Sequence, residues 1–351
     1  MKPILSGILL LALFAVTFVG CDSPNNPDVP PQPYRWAMTV SIPGEAKDVS
    51  VQDGYAGVAA SSYGAVVYDV RDLGNITQVF HDTLQHYYNP TAGASKIAID
   101  AQHHVVCWLT EPRYSGATSI DYMTGGPGPA ISIQGPVYGL CMESEPNTIT
   151  YWFTSHSRVL DGGQTCRDSD TSAWDPNFCN FTFQADSIHL PSSGWTGSDR
   201  GQGFSHSKRN HLWAVAVEET GVHFVDDSTG AVRSIQIVPG SAFDCAWYQD
   251  SLLVVACDFE MVIMNVQDAA HPQIISQYTI PNSNRMRGVA IDGNWACIVD
   301  GYDGIYIVDI RDPRHPEKVQ LLPLTHPTSV CVDNGRLYAT DDLSGLVIYT
   351  H

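Results

Sequence analysis

Apolar and polar positions come in short runs along most of the chain, and the clearest example is the stretch 287–316, RGVAIDGNWACIVDGYDGIYIVDIRDPRHP. Val289 to Ile291 reads as a first strand. Asp292-Gly293-Asn294 reads as a hairpin turn, because Gly and Asn take positive φ at little cost. Trp295 to Val299 returns as a second strand. Asp300 to Gly304 turns again, and Ile305 to Ile310 is a third strand. Both faces of that third strand are apolar, so its sheet must be covered on both sides. Asp312-Pro313 then ends the ladder, since proline has no N–H to donate. Val319 to Leu322 supplies a fourth strand. A four-stranded unit with two apolar faces needs similar units beside it.

The pattern recurs. First strands start near Ala46, Ala94, Val137, Gly203, Ala242, Arg287 and Thr328, at spacings of 48, 43, 66, 39, 45 and 41 residues. Gly64, Gly221, Gly304 and Gly345 each lead a third strand, while MVIMNVQD begins at Met261. The last unit has three strands before His351, and a fourth is available in Trp36 to Ile42. The expected fold is all-β: a seven-bladed β-propeller of four-stranded antiparallel blades over about 34–351. Pairing of the N-terminal strand, about 36–42, into the last blade would close the ring and leave no open edge. The third unit is the irregular one, with an insert at about 155–182 and no clean third strand between Ser155 and Phe181.

The segments GIYIVDIRDPRHP, GAVVYDVRDLGN and MVIMNVQDAAHP resemble the LVIVD-repeat family of β-propellers, over about 46–90 and 200–351. The resemblance implies a secreted or surface-attached propeller. It brings no catalytic residues.

The N-terminus sets the compartment. An apolar run from Ile4 to Gly20 follows Lys2 and ends at Phe18-Val19-Gly20-Cys21, which looks like a bacterial lipobox. Residues 1–20 are read as a lipoprotein signal peptide and Cys21 as the lipidated residue; an ordinary signal peptide or a short anchor is the competing account. The segment 22–33 holds five prolines. It reads as an extended tether reaching roughly 37 Å at ~3.1 Å per residue. The expected location is the bacterial cell envelope, with the membrane reached through the lipid anchor and the domain a monomer.

Charge narrows the partners. The chain carries 18 basic and 37 acidic side chains, a net −19. Phosphate contacts need a basic face, so nucleic acid is excluded. A protein or glycan partner remains, and the plain alternative is that acidity keeps an exported protein soluble. Of nine cysteines, Cys166 and Cys179 lie in the polar insert, where a disulfide would staple a loop with little core. Cys107, Cys141, Cys245, Cys257, Cys297 and Cys331 are read as buried thiols.

Antiparallel order puts second-to-third turns and inter-blade links on one face. The longest loops, 85–95, 155–182, 191–203 and 281–287, fall there. Aromatics in loops on this face, Tyr87, Tyr88, Tyr114, Trp174 and Trp195, are candidates for ligand contact. Trp108, Trp152, Trp213, Trp247 and Trp295 lie on strands and are assigned to the core. Acids gather at the second-strand ends of the same face, including Asp258, Asp300, Asp303, Asp341 and Asp342. Such a ring of oxygens suits a hard cation such as Ca²⁺, although Asp also favours turns for its own local hydrogen bonds, which is the preferred account. Thirteen histidines show no metal-ligand spacing, and no Gly-x-Ser-x-Gly is present. Two functions stay open. The preferred one is a binding or scaffold module with no assigned catalytic residues. The alternative is a hydrolase or lyase acting on a glycan or small ester with carboxylates on the loop face.

Overall fold

The regular elements are β-strands throughout the described residues. The computed structural model describes residues 32–351 apart from 83–92, 111–116, 126, 132–136, 146–147, 156–157, 166–180, 183–187, 190–205, 227–231, 282 and 284. The described strands form seven antiparallel sheets. Six have four strands; the third, spanning 137–189, has five. The sixth is the pattern for the others, with strands Met286–Asp292, Trp295–Asp300, Gly304–Asp309 and Glu317–Pro323. Its Ile305 and Ile307 pack towards the seventh sheet, while Tyr306 and Val308 pack towards the fifth. The apolar character of both faces is therefore used between sheets, as that of a stacked repeat must be.

The glycine that opens the third strand has a steric reason. Gly304 sits at φ 132, and a Cβ there would lie 2.1 Å from the Leu322 carbonyl oxygen of the fourth strand. Gly221 sits at φ 87, with the Gln236 oxygen 2.2 Å from the same position. Only glycine meets both demands, the left-handed backbone and the close approach.

Gly345 shows who plays the fourth strand in the last sheet. Its Cβ position lies 2.4 Å from the Val40 oxygen, so Val40 takes the place held by Leu322 and Gln236. The strand Arg35–Val40 indeed pairs antiparallel with Gly345–Thr350, from Arg35 opposite Thr350 to Val40 opposite Leu346. Tyr34, just before it, is buried and clasped by the sixth sheet. Its amide N–H donates to Gln320 Oε1 at 3.0 Å, Gln320 Nε2 donates to its carbonyl at 2.7 Å, and its hydroxyl donates to Asp292. The His351 ring stacks on Tyr34 at 4.7 Å and bonds Asp292 through Nε2 at 2.9 Å.

The first to third sheets and the fourth to seventh meet their neighbours along their first strands, and the seventh packs back against the first. Ile42, Ala46, Val49 and Val58 share one cluster with Tyr338, Leu346 and Ile348. Side chains add clasps at the same seam: Thr328 Oγ1 donates to Ala46 O at 2.6 Å and Ser329 Oγ to Asp48 at 2.7 Å. Asp48 also accepts from Ile97 N of the second sheet at 3.1 Å. The fifth and sixth sheets repeat this, with Val289 N donating to Asp244 at 2.7 Å.

One sequence reading needs correction. The third sheet does have a third strand inside the stretch read as an insert, Arg158–Thr165, paired with Thr148–Ser155. Its residues, RVLDGGQT, are mostly polar or glycine. Backbone pairing with a long apolar neighbour holds the strand where side-chain pattern gives no signal. Cys166 and Cys179 lie outside the described residues. The six cysteines that are described are all free thiols, with Cys107, Cys245, Cys257 and Cys297 buried and Cys141 and Cys331 half-buried. Trp108 and Trp213 are fully buried, and Trp247 and Trp295 are half-buried against the inter-sheet cores.

Candidate binding face

The turns from second to third strand and the links between sheets share one face. They are tied together at the backbone. Ser61 and Ala94 exchange N–H and carbonyl bonds at 3.1 and 2.9 Å, as do Glu218 and Ala242 at 3.0 and 2.9 Å, and Met286 N donates to Asp258 O at 3.1 Å. Each such pair joins the turn of one sheet to the first strand of the next.

The buried acids on this face complete the same joints. Asp300 ends the second strand of the sixth sheet and is fully buried. It accepts from the N–H groups of Tyr302 at 3.0 Å and Asp303 at 3.3 Å in its own turn. Its other oxygen takes Ser283 Oγ at 2.7 Å and Arg285 N at 3.2 Å, in the incoming link. Asp341 does the same one sheet on, accepting from Leu343 N at 3.0 Å, Ser344 N at 2.8 Å and His326 N at 2.8 Å. Burial pushes the Asp341 carboxyl up, but those backbone donors outweigh it and hold it below the usual carboxylate range. Asp258 caps Ser241 N at 2.9 Å. Asp303 accepts from the Tyr306 hydroxyl at 3.1 Å, and Asp342 pairs with Lys47 at 3.3 Å.

The five acids singled out as cation ligands are thus spread over three sheets and engaged with backbone, hydroxyl or ammonium donors. Among the described residues no three His, Cys, Asp or Glu side chains group as a metal site. Asp300 and Asp341 close their turns through backbone donors.

Outside the joints the face is charged and tipped with apolar side chains. Phe259, Tyr302 and Leu343 stand on the corresponding turns of the fifth, sixth and seventh sheets and are 62%, 58% and 72% exposed. Large apolar side chains so placed on three neighbouring sheets are the informative exception on a polar surface. Around them burial, Glu219 and Asp258 raise the Glu218 carboxyl, against the pull of Arg285. Arg285 lies over the Phe243 ring, 5.2 Å from its centre. Burial and the neighbouring Arg285 lower Arg287, while burial of Lys47 is outweighed by Glu45 and Asp342.

Tyr87, Tyr88, Tyr114, Trp174 and Trp195 all lie outside the described residues, as does Cys21. The exposed apolar tips were not among the sequence candidates. Their signal was available: each sits next to an acid in a turn, in the segments DFE, DGYDG and DDLSG.

Comparison with known proteins follows this geometry. The family described as LVIVD repeat matches residues 43–81 and 285–320, the first and sixth sheets with their incoming links. The chain carries LVIVD repeats. No curated protein sequence matches the chain. Among solved structures, the chain resembles virginiamycin B lyase from Staphylococcus aureus at 13% identity and a TM-score of 0.64, covering 91% of this chain and 99% of that one. It resembles the WD40 β-propeller domain of Doa1 at 10% identity and a TM-score of 0.63, covering 91% and 97%. The β-propeller domain of Myceliophteria thermophila Cps50 (Swd1) gives 10% identity, a TM-score of 0.63, and 91% and 99% coverage. At such identities the shared property is the fold, so the LVIVD repeats here build a β-propeller.

Proposed function

We propose that the chain is a lipid-anchored extracytoplasmic binding or scaffold module, a closed seven-bladed ring that presents its turn face to a partner. The ring reading is supported by seven sheets, by the strand Arg35–Val40 in the fourth-strand position of the last one, and by the packing of the seventh sheet on the first. Anchoring is supported by the sequence ending in Gly20-Cys21 and by the proline-rich tether after it. The observation that carries the binding role is the set of exposed tips Phe259, Tyr302 and Leu343 on neighbouring sheets. An acidic rim around apolar anchors fits a protein partner of opposite charge. The hydrolase or lyase alternative draws no comparable support, because Asp300 and Asp341 are held by backbone donors.

The test has two parts. Cys21→Ala should move the protein from the membrane fraction to the soluble one, and unchanged fractionation would overturn the anchor. In crosslinking on intact cells, the native chain should yield a discrete adduct that Phe259→Asp with Leu343→Asp weakens at least tenfold. An adduct of equal yield in that double variant would overturn the turn-face reading.

A further inference from the structure

The opposite face, made of first-to-second and third-to-fourth turns, carries a cleft between the fourth and fifth sheets. It is a half-open cleft of about 590 Å³, within the range of small-molecule sites. We propose that this cleft binds a neutral sugar of one to three residues, independently of any partner on the turn face.

Charge balance argues first. Arg209 pairs with Asp250 at 2.7 Å, Arg233 with Asp226, and Asp268 with His271 at 2.9 Å. With both guanidinium groups matched and Asp268 as the one further charge, the cleft does not favour an anion. It still offers donors and acceptors together: Arg209, Asn210 and His211 on one wall, and Asp250, Ser251 and Gln267 on the other. That mixture suits a ligand rich in hydroxyls, each of which donates and accepts.

The apolar part of the lining argues next. Trp247, Leu212 and Val266 contribute to the cleft. Trp247 Nε1 donates to Ser207 O at 3.1 Å, which fixes the indole and satisfies its N–H. An immobilised aromatic among planar polar side chains is suited to the C–H surface of a pyranose ring, with little ordering cost on binding.

Backbone strain is the third observation. Hairpin tips of this type elsewhere in the chain run Asp53-Gly54 at φ 50 and 77, and Asn334-Gly335 at φ 49 and 71. The tip in the cleft is Asn210-His211, at φ 47 and 63. A histidine thus holds the left-handed place that glycine fills more cheaply, and such strain collects where a side chain is needed. His104 shares the conformation in the second sheet, where its ring meets Tyr122 edge-on at 5.8 Å.

The experiment is ligand-observed NMR followed by calorimetry on the mature chain. The probes are neutral oligosaccharides of glucose, xylose, mannose and N-acetylglucosamine, with phenyl phosphate as the anionic control. At least one sugar should bind with a Kd of about 1 mM or tighter. Asp250→Ala should weaken that binding at least tenfold while leaving Tm unchanged, because the carboxylate is 95% exposed. His211→Gly should weaken binding by a similar factor while Tm stays level or rises. Trp247→Ala should abolish it, and Leu343→Asp on the other face should leave it intact. Failure of every sugar to bind overturns the proposal. So does binding that survives both Asp250→Ala and His211→Gly, or preferential binding of phenyl phosphate.

Discussion

Acidification should destabilise the fold through one buried histidine. His223 lies on the strand Gly221–Asp226, opposite Val215, and its side chain is buried. Its Nε2 meets Thr220 Oγ1 at 2.9 Å, while Nδ1 has no hydrogen-bond partner among the described residues. Burial lowers its pKa from 6.5 to about 4. The unfolded chain therefore takes up this proton at a higher pH than the folded one. Stability is whole above about pH 6.5 and is lost as pH falls towards about 4. At 1.36 kcal/mol per pH unit the full loss is about 3 kcal/mol, of which about 2 kcal/mol should be gone by about pH 5. The assay is urea unfolding followed by tryptophan fluorescence at about pH 7 and about pH 5, on the native chain and on His223→Leu. The variant keeps the Thr220 hydroxyl satisfied, since it also bonds Val217 O at 2.8 Å. Stopping at about pH 5 leaves the carboxylates of folded and unfolded chains mostly ionised. The native chain should lose about 2 kcal/mol more than the variant between the two conditions. Equal losses would refute the burial argument.

Two further outcomes follow from the joints. Gly345→Ala puts a methyl group 2.4 Å from Val40 O at a φ of 93, and should cost about 2–4 kcal/mol. In hydrogen exchange the loss should be greatest at the amides of Arg35–Val40, and uniform loss would argue against that strand as the ring's closing element. Asp341→Ala strips the acceptor from three N–H groups and should cost about 2–4 kcal/mol at neutral pH. Because this carboxyl sits below its usual 3.8 in the fold, its contribution holds above that value and is lost below it. Added Ca²⁺ should not raise the native chain's Tm, and a rise that Asp341→Ala abolishes would restore the cation reading.

The repeat of short apolar strands and tight turns was enough to read the architecture of most units. Strands apolar on both faces have no stable home except between copies of themselves, and the glycines at the head of three third strands, Gly221, Gly304 and Gly345, marked where two backbones meet. The N-terminal strand was legible too, as an apolar segment available to complete a three-stranded last unit. The strand Arg158–Thr165 was hidden, because its polar, glycine-rich residues are held by backbone pairing rather than by burial of side chains. Local sequence could place acids at the ends of second strands, but not say what they face. Asp300 and Asp341 find their partners across the link that enters their own sheet, a contact made only when the chain folds back. In the same way Trp247, Asn210 and Asp250 belong to separate strands and turns of two units. Their meeting in one cleft is decided by sheet-on-sheet packing, which acts between residues dozens of positions apart and leaves no mark in any single stretch of chain.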